Sequence, residues 1–226
     1  MKSNINDILN VFFNDTIINI AKEMGYSEEN LLILESEEEK LKVKYPKTYQ
    51  NLTSCNHNRD HRSFMKYGQD LICSWIFEDY FLYNMKILNI DIEFSGNDFE
   101  RKILENSKVD SNPDYKLLLN NKKISIELVN DYTGYWQKTK KCDLRDDKYR
   151  KMMTKQDIDY SFIIGIDLIN KSFFLFDVKN NSNNVTYSSF HFYYNKPAYT
   201  ISLDNIKFSK FSFDNILSEI IKNTEE

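Results

Sequence analysis

Three acidic residues have the spacing to do chemistry together: Asp114, Glu127 and Glu78. The first two lie in the stretch from Ser111 to Asn130, which reads as two β-strands joined by a tight turn. Tyr115 to Leu119 form one apolar-rich run, and Ile124, Ile126 and Leu128 alternate with their neighbours in the second. Asn120-Asn121 separates the runs, and Asn tolerates the left-handed backbone that two-residue hairpin loops require. With such a loop, Asp114 falls opposite Glu127. A four-residue loop would instead oppose Asp114 to Val129, with Glu127 diagonal on the same face. Directly opposed side chains have Cβ atoms ~4.5–5.5 Å apart. Two carboxylates so placed repel each other unless a proton or cation lies between them. A divalent metal is the economical cation, and Mg2+ favours oxygen ligands.

Glu78 lies on the strongest predicted helix, Ser63 to Lys86, which is apolar nearly all round through Phe64, Tyr67, Leu71, Trp75 and Leu82. It shares the face of Trp75 and Leu71. A carboxylate buried there needs a partner, either a salt bridge or the same metal. After the hairpin, Asp131 to Gly134 turns the chain, and Tyr135 to Met153 reads as a basic helix with Lys138, Lys140, Lys141, Arg145, Lys148, Arg150 and Lys151. It is either a solvated face or a surface that neutralises phosphates. Asn130, Asp131, Tyr132, Tyr135, Trp136 and Gln137 directly follow the second strand, where they either pack a turn and a helix or offer hydrogen-bonding and stacking groups to a ligand. Cys55, His57 and His61 form a partial zinc pattern with no second cluster to complete it.

The remaining elements frame these residues. Residues 3 to 24 read as an amphipathic helix, with a second helix starting near Ser27 and continuing through Glu37-Glu38-Glu39. Tyr45-Pro46 breaks that pattern, and Asn51 to Arg62 reads as a loop. Ile90 to Phe94 is a strand and Phe99 to Ser107 a short helix. Tyr160 to Ile169 and Ser172 to Val178 form a second hairpin. Val185 to Tyr194 and Tyr199 to Leu203 are extended, and Ser212 to Lys222 closes the chain as a helix. The 226 residues are 41% hydrophobic and 28% charged, as a soluble domain with a real core requires. A net charge of −4 confines any nucleic-acid affinity to a local patch. Three scattered cysteines, no signal-peptide pattern and no bilayer-length apolar run predict a cytoplasmic protein. The absence of GxSxG, HExxH and CxxC removes the common hydrolase, zincin and redox readings.

A helix with an inward acid, a strand, a hairpin bearing Pro113-Asp114 and then Glu127, a basic helix and further strands resemble the PD-(D/E)XK nuclease superfamily, and most of all type II restriction endonucleases. The resemblance covers residues 63–178. It implies an α/β (α+β) fold, with a central mixed sheet flanked by helices and a core order αβββαβ. An N-terminal helical region (1–62) precedes that core, and aromatic strands with a closing helix (179–226) follow it. It implies Mg2+ held by Asp114, Glu127, the Leu128 carbonyl and Glu78, double-stranded DNA as substrate, and a homodimer if both strands are cut. Val129 stands where the family has lysine. Lys141 is the expected replacement, with Lys138, Lys140, Lys123 and Lys116 as competitors. A structure-specific or repair nuclease, and a DNA-binding module that has lost its lysine and its activity, are the other outcomes.

Overall fold

The computed structural model describes residues 16–55, 63–96, 98–104, 111–131, 133–191 and 196–225. They form two compact units. One comprises the chain up to Tyr80 with Asn97–Asp110, and the other Phe81–Gly96 with Ser111–Glu226. The division falls inside the longest helix.

The first unit is helical: α1 (Thr16–Glu23), α2 (Glu28–Leu34), α3 (Glu38–Lys44), α4 (Pro46–Ser54) and the first part of α5 (Phe64–Ile87). Ser27 caps α2, its hydroxyl accepting from the Asn30 N–H. The acidic run is a separate helix because Ser36 adopts a left-handed φ of 59° and ends the turn before it. Tyr45-Pro46 does break a helix, but Pro46 then opens α4 at its first position, where a missing N–H costs nothing. Leu32, Ile33, Leu41, Leu52, Ile72, Trp75 and Ile76 form the core. The helix expected over residues 99–107 is absent from the described part, 98–104, which is turn and coil. Arg101 is left-handed, and the carbonyls of Arg101 and Ile103 accept from the Asn30 and Asn51 amides instead of from a following helical turn.

The second unit is built on a mixed sheet. Its strands are β1 (Asp91–Phe94), β2 (Tyr115–Leu119), β3 (Lys122–Asp131), β5 (Tyr160–Asp167), β6 (Ser172–Asp177) and β9 (Ser209–Lys210), side by side in that order. All neighbours are antiparallel except β3 and β5. Parallel strands need a long crossover, and here it contains α6 (Tyr135–Thr139), β4 (Lys141–Arg145) and α7 (Asp146–Thr154). β4 joins β8 (Lys196–Ser202) and β7 (Val185–His191) in a small second sheet. Helix α8 (Phe213–Thr224), capped by Ser212, closes the chain. One face of the main sheet presents Tyr115 to Phe81 of α5 at 5.3 Å, and Phe81 meets Phe213 of α8 at 5.9 Å. Across the other face, Ile163, Phe174 and Phe176 pack with Trp136, Tyr149 and Met152 of α6 and α7. The fold is thus α+β, a central mixed sheet flanked by helices.

The single basic helix expected over residues 135–153 is two helices with a strand between them. Lys140, left-handed at φ 54°, ends α6 and donates its N–H to the Trp136 carbonyl. Cys142 and Leu144 are then buried while Lys141 is exposed and Asp143 and Arg145 are partly so, which is the alternation of a strand. Charged residues at every second position hid that alternation within a generally basic stretch.

Candidate functional site

The hairpin β2–β3 sets the register of the acids. Asn120 and Asn121 have φ of 50° and 61°, the pair of left-handed residues a two-residue loop needs. Leu119 pairs with Lys122 and Tyr115 with Ile126, so one step further out Asp114 meets Glu127. The four-residue alternative does not occur. Both carboxylates are buried, Asp114 at 9% and Glu127 at 5% exposure. The approach to the hairpin is pinned by Ser95, whose N–H donates to the Asp114 carbonyl at 2.8 Å and whose hydroxyl donates to the Pro113 carbonyl at 2.5 Å. The Asp114 carboxylate is oriented in turn, since its Oδ2 accepts from the Leu128 N–H at 2.8 Å.

A cation does lie between the two acids, and it is the ammonium of Lys148. Its Nζ is 2.6 Å from Glu127 Oε1 and 3.5 Å from Asp114 Oδ1. Lys148 comes from α7, which Tyr149 and Met152 anchor in the core. Lys151, one turn on, donates to Asn112 Oδ1 at 3.2 Å and ties the same helix to the residue before Pro113. Two carboxylates and one ammonium leave the trio with one negative charge in excess. Glu127 Oε2 is buried and accepts no hydrogen bond among the described residues. Burial first, and the Asp114 carboxylate second, raise the Glu127 pKa above the usual carboxylate range against the pull of Lys148. Burial alone would lower the pKa of Lys148, but Asp114 and Glu127 outweigh it and raise it. Lys148 therefore stays charged, and Glu127 is the group that takes up a proton when no other cation balances the site.

Glu78 is buried in the helical unit, and Arg101 Nη1 donates to its Oε2 at 2.7 Å, so the partner its burial demanded includes an arginine. Lys141 is exposed on β4, as are Lys138 and Lys140 on and just after α6, and the lysine at the acids is Lys148 instead. Asp131 is a structural cap: its carboxylate accepts from the Thr133 N–H and hydroxyl and from the Trp136 N–H at the start of α6. Trp136 is 6% exposed and packs edge-on against Phe174 at 5.2 Å, which removes its ring from any stacking surface. The Tyr135 hydroxyl donates to Asp143 and the Gln137 amide to Asp167. Arg145 faces Asp147 at 3.5 Å, and the Asn130 Oδ1 is buried without a hydrogen bond among the described residues. Tyr132, and His57 and His61 of the zinc pattern, lie outside the described residues, while the Cys55 thiol donates to the Leu52 carbonyl.

Among the described residues, no group of three or more His, Cys, Asp or Glu side chains could hold a metal ion. The donor set at the hairpin is two carboxylates and main-chain oxygen. That is a hard-oxygen set, and Mg2+ is commonly held by one or two carboxylates with water and substrate phosphate filling the rest. The buried Glu127 Oε2, without a hydrogen bond among the described residues, fits such a cation. No protein-family model matches the chain, and no curated protein matches it. No helix among the described residues is long and apolar enough to cross a membrane.

Proposed function

We propose that this protein is a Mg2+-dependent endonuclease that hydrolyses phosphodiester bonds of double-stranded DNA at a short specific sequence, in the manner of a type II restriction endonuclease. The observation that supports this reading is the apposition of Asp114 and Glu127 across a two-residue hairpin with Lys148 between them. Asp114, Glu127 and the Leu128 carbonyl would hold the metal, which supplies Lewis acidity and orients a water. The Leu128 N–H fixes one Asp114 oxygen and leaves the other turned toward Lys148. Glu127 gives up its raised proton affinity when a cation takes the place of the proton. Lys148 offers its ammonium to the anionic phosphoryl oxygens, where charge develops in the transition state. It thereby fills the role for which the strand offers only Val129. Cutting both strands calls for a homodimer, and three free thiols suit a reducing cytoplasm.

One observation favours a second reading. Lys148 already sits at 2.6 Å from Glu127, so the site is partly neutralised by its own lysine. That suits a DNA-binding module without activity. Incubation with unmethylated plasmid and Mg2+, repeated with Asp114→Ala, separates the two. Discrete fragments lost in the variant are the expected result. Smearing or branch-specific cutting would move the assignment to a repair or structure-specific nuclease. Retained binding without cutting would establish the inactive module.

A further inference from the structure

Strand β6 has an edge that its neighbour covers only in part. β9 pairs with Ser172 and Phe173 and then ends. The hydrogen-bond alternation shows what this leaves exposed. The Val178 N–H donates to the Ser161 carbonyl, so Phe176 and Phe174 are the β6 residues bonded to β5, and Leu175 is not. On the other edge, the Phe211 N–H donates to the Lys171 carbonyl, so the bonded positions toward β9 are Lys171, Phe173 and then Leu175. Continued in register, β9 would place Lys207 opposite Leu175, but the strand stops at Ser209. The N–H and C=O of Leu175 therefore point past the end of β9.

A cavity of about 220 Å3 occupies that gap, and Leu175 and Lys207 both line it. Asn181, Asn223 and Glu219 line it too. The Asn181 and Asn223 amides each donate one hydrogen to a carbonyl, of Asp177 and Glu219, and their Oδ1 atoms are acceptors. Neither Lys207 nor Glu219 forms an ion pair among the described residues. That volume lies below the range of drug-sized pockets, so the cavity can take a single planar ring but not a whole nucleotide. Among the described residues, the next carbonyl along this edge, that of Asp177, already accepts from the Asn181 N–H. An added peptide strand would find one pairing position, too few for edge-strand recognition.

We infer that this cavity binds a nucleobase carrying an exocyclic amino group, as the base of a free mononucleotide. The base edge takes the Leu175 N–H on a ring nitrogen and gives one amino hydrogen to the Leu175 carbonyl. The second amino hydrogen goes to the acceptors of Asn181, Asn223 or Glu219, and Lys207 meets the phosphate. Adenine and cytosine share this edge chemistry. The site stands apart from Asp114, Glu127 and Lys148, and the inference does not rest on nuclease activity.

The test is calorimetric titration of the full chain with AMP, CMP and purine riboside 5′-monophosphate, which lacks the amino group. AMP or CMP binding at least tenfold tighter than the amino-free nucleotide is expected, and which of the two binds tighter names the base. Leu175→Pro removes the N–H that faces the cavity, at an edge position where proline is tolerated, and Leu175→Ala is the control for the lost side chain. The proline variant should weaken binding about tenfold with an unchanged circular dichroism spectrum. Asn184→Trp, which fills the cavity from its lining, should abolish binding and serves if the proline variant does not fold. No heat from either amino nucleotide at millimolar concentration, equal binding of the amino-free analogue, or unchanged affinity in the folded Asn184→Trp variant would overturn the assignment.

Discussion

Each compact unit buries one basic side chain among acids, and the two clusters solve the same problem differently. In the helical unit, Arg101 donates from Nε and Nη2 to Asp79 Oδ1 and from Nη1 to Glu78 Oε2. The Tyr26 hydroxyl takes the other Asp79 oxygen, and the Trp75 indole N–H donates to Asp98. A planar fork with five donors can saturate several carboxylates at once. In the sheet unit, Lys148 is a point charge between Asp114 and Glu127, and one buried oxygen of Glu127 has no donor among the described residues. The guanidinium cluster is closed and structural. In the ammonium cluster one lysine faces two carboxylates, and the proposed function assigns a cation to it. Buried acids alone do not mark a reactive centre. An unmet demand for charge and hydrogen bonds does.

The sharpest way to break this contrast is through activity. Under the proposed function, Asp114→Ala should lower cleavage by about 10²–10³-fold or more, the scale of losing a group that stabilises developing charge. A soluble, folded Arg101→Lys variant should cut at the normal rate, and loss of cutting there would place chemistry in the cluster assigned to structure. Stability should show the reverse order. Arg101→Ala strands buried carboxylates and should cost about 3–5 kcal/mol in urea denaturation. Lys148→Met should cost less than Arg101→Ala, because the proton that Glu127 readily holds offsets part of the buried negative charge. A loss larger than that of Arg101→Ala would contradict the assignment of Glu127 as the carboxyl that yields.

Gly165 tests the packing beneath the site. Its pairing partner Phe174 lays its ring over the glycine, and an added Cβ would lie 2.1 Å from a ring carbon. Gly165→Ala should destabilise by about 1–3 kcal/mol, read as a lower melting temperature.

The smallest expected effect is a change of slope with pH. The folded-state pKa of Glu127 is raised, so its contribution to stability is full below the unfolded carboxylate value and is lost as pH rises through the folded value. Lys148 is raised as well, and its contribution holds until far more alkaline pH. The stability of Glu127→Gln relative to the parent should therefore increase from pH 5 to pH 9. Added Mg2+ should raise the melting temperature of the parent more at pH 8 than at pH 6, since it must displace a proton, and should leave Asp114→Ala unmoved. A flat difference between pH 5 and pH 9 would mean that the negative charge is balanced some other way.

Much of the site was legible because local rules enforce it. Two adjacent asparagines specify a two-residue loop, the loop specifies a register, and the register opposes Asp114 to Glu127. The need of Glu78 for a partner was equally plain from its apolar helix face. The identity of the partners was not. Arg101 reaches Glu78 from a left-handed turn that no periodicity announces. Lys148 stood in view within a basic stretch, but reading residues 135–153 as one helix concealed where α7 begins. The strand alternation of Cys142 and Leu144 was the available signal, and Asp146-Asp147 in the first turn of α7 was a second.

The sequence by itself determined what short-range geometry controls: the hairpin, the long helix, the closing helix with its serine cap, and the opposition of two acids. Only the tertiary structure decided which cation stands between them, which acid is satisfied by arginine, and where β9 stops short of covering its neighbour. Those outcomes depend on residues far apart in the chain meeting with the right charge and reach. Spacing along one strand or helix holds no record of such meetings.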